Sequence, residues 1–182
     1  MAGAAPRAAI RASRGRFAVV AGRFNEPIST RLVEGALTAF RSHGLGESSV
    51  EVHWVPGSFE LPLAAHALAR TGRYAGVVCV GVVIRGETPH WDYVAGAAAH
   101  GIGRAALDTG LPISFGVITA LTEEQAWARA GGAVGNRGEE AARATLEMAG
   151  WLRGVRAGGA RPGGAGERVS RSRGARRRAR KG

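Results

Sequence analysis

Residues 75–84 read AGVVCVGVVI, an uninterrupted apolar run that contains the single cysteine of the chain, Cys79. A run of this length is too short to cross a bilayer, which takes roughly 20 apolar residues in a helix. Valine dominates it, and a parallel strand covered on both faces is typically apolar at successive positions. The run therefore predicts a central parallel strand. A lone thiol inside such a run is expected to be an inert packing residue.

Strand and helix signals alternate on both sides of this run. Shorter apolar or alternating stretches predict further strands at 17–22, 49–55 and 113–118. Five helices are predicted. Three have predicted bounds, at 27–44, 91–109 and 137–152, and two are predicted from their start signals alone, one from a capping Ser58 and one from a capping box of Thr122 and Gln125. Such alternation implies right-handed crossovers. We therefore expect one α/β domain, a three-layer αβα sandwich of the flavodoxin-like class with a four-stranded parallel sheet.

The positive charge of the chain is concentrated at its two ends. The net charge is +11, yet residues 152–182 carry eleven basic groups and a single acid, Glu167, and the first sixteen residues carry four arginines and no acid. The intervening residues have a slight acidic excess. Basic ends of low hydrophobic content cannot bury enough apolar surface to offset the entropy of ordering. We expect a folded domain at 16–155, with disordered extensions at 1–15 and 156–182.

Composition also indicates the kind of cellular compartment in which the protein is expected. Hydrophobic residues make up 45% of the chain, which is enough for a core, and no stretch has the length of a membrane span. One cysteine can form neither an internal disulfide nor a zinc site by itself. No two histidines have the spacing of a zinc pair. We expect a soluble protein of a reducing compartment, the bacterial cytoplasm, with no membrane partner.

Functional residues are expected where the predicted strands end, because ligands of open parallel α/β sheets bind beyond the carboxyl ends of the strands. Phe24 follows the first strand, GSFE at 57–60 follows the second, and RGETPH at 85–90 follows the third. An aromatic ring can stack on a planar heterocycle, and a carboxylate can accept hydrogen bonds from a ligand. Helix-start N–H groups can hold a phosphate, and a histidine can move protons near neutral pH.

Each of these residues, taken singly, also fits a purely structural role. Phe24 could pack on the core, and Ser58 and Glu60 could serve only the start of a helix. Their expected meeting at one edge of the sheet favours a binding site.

Five segments, in order along the chain, resemble the signatures of the lumazine synthase family (the riboflavin synthase beta-chain family). They are RFN at 23–25, GSFELP at 57–62, GVVIRGETPH at 81–90, FGVIT at 115–119 and GNRG at 135–138. The resemblance implies that 5-amino-6-(D-ribitylamino)uracil is joined to 3,4-dihydroxy-2-butanone 4-phosphate, with release of phosphate and water. This is the penultimate step of riboflavin synthesis, and the family uses no metal and no organic cofactor.

The resemblance also implies roles for the matching residues. Contacts to the ring substrate and its ribityl chain fall on Phe24, Ser58, Phe59, Glu60, Val82, Val83 and Ile84. Contacts to the phosphate fall on Glu87 and Thr88. His90 is expected to be the catalytic residue that transfers protons.

A neighbouring subunit is expected to complete each site. By the resemblance, the neighbour supplies Phe115 over the ring and Arg129 at the phosphate, so a homopentamer is the smallest active unit. The turn at 131–135 has no insertion, which in this family goes with sixty-subunit capsids, and we favour that assembly. A basic residue frequent in this turn is replaced by Ala133, and the lysine of the last signature is Arg137.

The Arg-rich C-terminal segment falls outside the resemblance. A solvated extension is the favoured interpretation, and binding of nucleic acid or another polyanion is the alternative. The corresponding alternative function is a non-catalytic, shell-forming homologue whose basic tail binds a polyanion.

Overall fold

The computed structural model describes residues 15–157. The elements in chain order are β1 (Arg16–Gly22), α1 (Glu26–Ser42), β2 (Val50–Val55), α2 (Leu61–Arg70), β3 (Tyr74–Ile84), α3 (His90–Thr109), β4 (Ile113–Ala120), α4 (Glu123–Ala128), β5 (Ala130–Gly132), β6 (Gly135–Asn136) and α5 (Arg137–Arg156). Short 3-10 turns at Glu47–Ser49 and Ser58–Glu60 precede β2 and α2. Apart from residues 15, 156 and 157, the extensions expected at 1–15 and 156–182 lie outside the described residues.

Four parallel strands form the main sheet, in the order β2-β1-β3-β4. Helices α1 and α5 cover one face, and α2 and α3 cover the other, so the predicted three-layer sandwich is confirmed. The predicted central strand is β3, which pairs with both β1 and β4. In the described part of the chain, no helix is both long and apolar enough to cross a membrane.

The core is built on both faces of β1 and β3. Phe17 of β1 and the α1 residues Leu32 and Phe40 are fully buried between the sheet and the layer of α1 and α5, with the rings of Phe17 and Phe40 5.1 Å apart. Cys79 is buried in the cluster beneath α2 and α3, and burial raises the pKa of its thiol to about 12. Such a thiol stays protonated near neutral pH, as expected for an inert packing residue.

The sheet has a topological switch point between β1 and β3. The chain moves outward from β1 to β2 in one direction and from β3 to β4 in the other. The paired register of β1 and β3 ends at Ala21–Val80, while β3 continues to Ile84. Residues 82–84 therefore extend beyond β1, and their backbone on that side is open to a crevice where ligands of such folds bind.

Of the two helix caps predicted from the sequence, the one at α4 is found and the one at α2 is not. At α4 the predicted Thr122 cap is confirmed, because the Thr122 hydroxyl accepts from the Gln125 N–H at 3.3 Å. The reciprocal bond of a capping box is shifted by one residue, since the Gln125 side chain accepts at 3.0 Å from the N–H of Leu121, which precedes the N-cap. The predicted Ser58 cap is wrong. Ser58 lies inside the 3-10 turn and makes no capping hydrogen bond, because Glu60 occupies the N-cap position of α2.

The segment between α4 and α5 also differs from the expectation of a plain turn. It forms a small antiparallel hairpin of β5 and β6. The Asn136 side chain ends this hairpin, accepts from the N–H groups of Gly138 and Glu139, and donates to the Arg31 carbonyl at 2.8 Å. Helix α5 runs four residues beyond its predicted end, to Arg156, whose guanidinium donates to the Gly110 carbonyl at 2.8 Å.

Candidate active site

A cavity of about 490 Å³ opens at the carboxyl end of the sheet, at the switch point. Three loops and the first turn of α3 surround it. Its lining residues are Phe24, Pro56, Gly57, Ser58, Phe59, Glu60, Val82, Val83, Ile84, Gly86, Thr88, His90, Trp91 and Val94. Its size is that of a small-molecule site.

Phe24 reaches the cavity because the pairing of β1 and β2 continues past the end of both strands. The Arg23 N–H donates to the Val55 carbonyl at 2.8 Å, and the Phe24 N–H donates to the Pro56 carbonyl at 3.0 Å. Asn25 then adopts a left-handed conformation (φ 61°) that an asparagine tolerates and that starts α1. The Phe24 ring is 72% exposed, which leaves its face available for stacking.

The 3-10 turn after β2 faces the cavity because two glycines give it room. A Cβ on Gly81 would lie 2.6 Å from the Ser58 hydroxyl, and a Cβ on Gly22 would lie 3.0 Å from the Gly57 backbone. Ser58 therefore packs inward against β3, which is the reason that it does not cap α2. Glu60 follows it, with its carboxylate 3.4 Å from the ideal Cβ position of Gly57.

The loop after β3 brings Thr88 and His90 to the cavity. The Arg85 N–H donates to the Ala120 carbonyl at 2.9 Å, which extends the pairing of β3 and β4 by one residue. No side chain caps the start of α3. Within residues 15–157, the N–H groups of 86–88 have no hydrogen-bond partner. These amides lie in the loop just before Pro89, the N-cap of α3, and unpaired backbone N–H groups of a loop are suited to an anion.

The polar side chains of the cavity are also without partners in the described part of the chain. Glu60, Thr88 and His90 make no side-chain hydrogen bond or ion pair with another residue of 15–157. A carboxylate, a hydroxyl and an imidazole are thus left to a ligand. Together they can accept hydrogen bonds, donate them and move a proton. No group of three His, Cys, Asp or Glu side chains that could hold a metal ion occurs in residues 15–157.

Three of the residues named from the sequence do not line this cavity. Glu87 lies in the exposed loop beside it. Phe115 lies on the outer strand β4 and is 43% exposed, and Arg129 follows α4, where its guanidinium donates to the Gln125 carbonyl at 2.9 Å. A role for Phe115 and Arg129 in this chain's own cavity is therefore not supported. Their role in a neighbour's cavity stays a prediction.

The cavity also includes residues that the sequence reasoning left out, most notably Trp91 and Val94 of α3. Both lie within one helical turn of His90 and pack against the cluster beneath α2 and α3. The helical period could have indicated Val94, because a side chain at the start of a helix shares its face with residues three or four positions further on, whereas it gives no signal for Trp91, the next residue after His90.

The pronounced pKa shifts in the described residues lie away from the cavity. At the amino end of the sheet, a hydrogen bond from the Tyr74 hydroxyl, opposed by some desolvation and aided by Arg16 and Arg73, lowers the pKa of Glu51. The pKa of Tyr74 is raised, chiefly by burial. The pKa of Glu124 is lowered by its hydrogen bond with Thr122.

Fold and cavity together are those of the α/β proteins whose small ligands bind in a crevice at the switch point of the sheet. The sequence model of the 6,7-dimethyl-8-ribityllumazine synthase family matches residues 14–153. The chain therefore belongs to the lumazine synthase family, which confirms the resemblance noted in the sequence. Membership places the chain in lumazine formation for riboflavin biosynthesis and implies small-molecule substrates and an oligomeric assembly.

Proposed function

We propose that this chain is a 6,7-dimethyl-8-ribityllumazine synthase whose catalytic domain is residues 16–155. It joins 5-amino-6-(D-ribitylamino)uracil to 3,4-dihydroxy-2-butanone 4-phosphate and releases phosphate and water. The observation that carries the proposal is the single cavity that brings together Phe24, Glu60, Thr88 and His90 from separate loops. A non-catalytic homologue would have no need to leave these side chains unpaired.

The ring substrate is assigned to the space between Phe24 and the end of β3. The exposed Phe24 ring offers a face to the pyrimidine. The backbone of Val82, Val83 and Ile84 runs beyond β1 and offers N–H and C=O groups to the ring edge. A pyrimidinedione carries donors and acceptors in one plane, so a strand edge is a suitable partner for it.

The ribityl chain is assigned to the turn of Ser58, Phe59 and Glu60. Its hydroxyl groups can donate to the Glu60 carboxylate, which has no partner of its own in residues 15–157. Phe59 is 60% exposed and can cover the chain.

The phosphate is assigned to the loop that carries Glu87 and Thr88. The unpartnered amides of 86–88 and the Thr88 hydroxyl are donors of the kind that bind phosphate. Glu87 contributes through its backbone in this assignment, because its carboxylate would repel the anion and its side chain does not line the cavity.

His90 is proposed to transfer protons. The 5-amino group attacks the ketone, and an imine forms with loss of one water. Phosphate is then eliminated, and the ribityl-bearing amine closes the ring on the carbonyl so formed, with loss of a second water, which gives the lumazine. His90 at the cavity wall can accept and return the protons that these steps move. Because both substrates are already reactive, holding them together is expected to provide most of the acceleration.

A neighbouring copy is proposed to close the cavity with Phe115 and Arg129. The support is that no lysine or arginine among residues 15–157 lines this chain's own cavity, while Phe115 is exposed on the outer strand of the sheet. Exposed Tyr93 and Leu107 on α3 add apolar surface for such a contact. A homopentamer is the smallest assembly that we propose, and a sixty-subunit capsid is the larger one. No metal and no organic cofactor is assigned to the reaction.

The direct test is to incubate the protein with both substrates and follow the absorbance and fluorescence of the lumazine. The proposal expects turnover that depends on both substrates and falls sharply in His90→Ala. A matched control is His100→Ala, which changes an exposed histidine on the same helix, away from the cavity. Absence of product from a folded, oligomeric protein would contradict the proposal.

The basic C-terminal segment favours a second candidate, the shell-forming homologue that binds nucleic acid or another polyanion. The supporting observation is the eleven basic groups of residues 152–182. Phosphate-binding cations release counterions, so such binding would fall steeply with salt. Truncation after Ala157 should then abolish retention on heparin, and unchanged retention would argue against it. For either candidate we propose the bacterial cytoplasm as the location, because a reducing compartment suits a chain with one buried cysteine.

A further inference from the structure

Arg85 and Trp91, which have no role in the proposed function, meet across the segment between the end of β3 and the start of α3. Arg85 is the first residue after β3, and Trp91 is the second residue of α3. The guanidinium carbon of Arg85 lies 5.8 Å from the centroid of the Trp91 ring. This distance is that of a cation–π contact. The contact therefore bridges the segment of 86–90, which comprises the loop with Thr88 and the first residue of α3, His90.

The Trp91 ring has a fixed position between the core and the cavity. It packs against the buried cluster beneath α2 and α3, and it also lines the cavity. A shift of the ring would therefore change the shape of the cavity wall directly. The same shift would move the first turn of α3, in which His90 is the preceding residue.

In the part of the chain that the structure describes, no other group competes with Trp91 for the Arg85 side chain. Within residues 15–157 it makes no ion pair and no hydrogen bond, and its contact is with the ring of Trp91. Its backbone is anchored to β4 through the 2.9 Å hydrogen bond to the Ala120 carbonyl. One end of the contact is thus tied to the sheet, and the other end is tied to α3.

We propose that Arg85 and Trp91 form a clasp across the segment of 86–90. In this clasp, Trp91 is a wall of the cavity that contacts the ring substrate, and Arg85 is a positioning residue that acts through Trp91. The identity of the substrate rests on the proposed function above. The clasp itself rests on the contact, the packing of the ring and the unpaired guanidinium.

A double-mutant cycle tests the coupling. A cation–π contact at an exposed site corresponds to a change of about three-fold in an equilibrium or rate constant. Arg85→Met should therefore raise the KM for the ribitylaminouracil about three-fold in the wild-type background and leave it nearly unchanged in Trp91→Leu. Arg85→Lys and Trp91→Phe, which keep a cation and a ring, should restore most of the loss. Arg70→Met, at the exposed end of α2, is the matched control.

Direct binding of the phosphate substrate by Arg85 gives a different result. Arg85→Met would then raise the KM for the sugar phosphate, and its effect would add to that of Trp91→Leu. Either observation would overturn the clasp.

Hydrogen exchange of the substrate-free oligomer separates the clasp from the proposed function. Arg85→Met should speed exchange of the amides of 92–95, the first hydrogen-bonded amides of α3, by about three-fold relative to those of α5, and Trp91→Leu should leave no further effect of Arg85→Met. A protein that makes no lumazine but shows this exchange pattern would refute the proposed function and support the clasp. Unchanged exchange in Arg85→Met would overturn the clasp, even in an active enzyme.

Discussion

The two ends of the parallel sheet differ in whether their polar side chains have partners within residues 15–157. At the amino end, Glu51 contacts Arg16, Arg73 and the Tyr74 hydroxyl, so the charges satisfy one another. At the carboxyl end, the side chains of Glu60, Thr88 and His90 have no partners in residues 15–157, although the same strands position them.

The start of each strand therefore carries groups that stabilise the fold, and its end carries groups that are available to a ligand. Parallel pairing gathers all strand starts at one edge and all strand ends at the other. Groups that pair within the chain contribute to folding, and groups that are left unpaired around a crevice are available to a ligand. Substitutions at the amino end should therefore affect stability, and substitutions at the carboxyl end should affect catalysis.

The largest expected effect comes from a matched pair of phenylalanines near the two ends of β1. Phe17 is fully buried against Phe40, so Phe17→Ala should lower the free energy of unfolding by about 3–5 kcal/mol. Phe24→Ala removes a largely exposed ring and should leave stability nearly unchanged, while it raises the KM for the ring substrate about ten-fold. Denaturant titrations and steady-state kinetics measure both. Equal destabilisation by the two substitutions would contradict the division of stability and ligand binding between the two ends of the sheet.

The next effect concerns catalysis at the carboxyl end. His90→Ala should lower kcat about 10²-fold and retain measurable activity, because positioning of the substrates does not depend on the imidazole. Its unfolding transition should match that of the wild type. A kcat for His90→Ala equal to that of His100→Ala would remove His90 from the mechanism.

The third effect tests the contribution of a neighbouring subunit to the phosphate. Arg129→Ala should raise the KM for the sugar phosphate about ten-fold, with a much smaller change in the KM for the ring substrate. Arg143→Ala, which removes an exposed arginine paired with Glu139 on α5, is the matched control. If Arg129→Ala keeps the wild-type KM for the sugar phosphate, Arg129 is not a phosphate contact.

The smallest effect is a pH dependence at the amino end. Because the folded-state pKa of Glu51 lies below its ordinary value of 4.5, the carboxylate stabilises the fold above that value and loses its effect as pH falls through the lowered pKa. Glu51→Gln should thus lower Tm near neutral pH, and the gap to the wild type should close in acid. Glu47→Gln, at an exposed position outside this cluster, should show no such convergence. A gap that stays constant into acid would contradict this account.

The sequence was sufficient for the layers of the fold and for the edge at which the cavity lies. The apolar run of 75–84 is recognisable as a central strand because both of its faces are covered, and strand ends in a parallel sheet meet by topology. Finer features depend on contacts between distant segments. Ser58 turns inward because Gly81 leaves room for it, and Trp91 joins the cavity because of the path of the loop before it. The predicted place of Arg129 in a neighbour's site depends on a second chain, which no pattern within one chain can position.

The central claim is that the cavity at the carboxyl end is a reaction site completed by an adjacent copy. Co-refolding of His90→Ala with Arg129→Ala in equal amounts tests it, because in a closed ring with head-to-tail contacts about a quarter of the sites would then combine an intact His90 with an intact Arg129 from the neighbour. Assayed at low sugar phosphate, the mixed oligomer should recover activity several-fold above the mean of the two variants. Activity equal to that mean would contradict the claim, since it would show that no site is shared between copies.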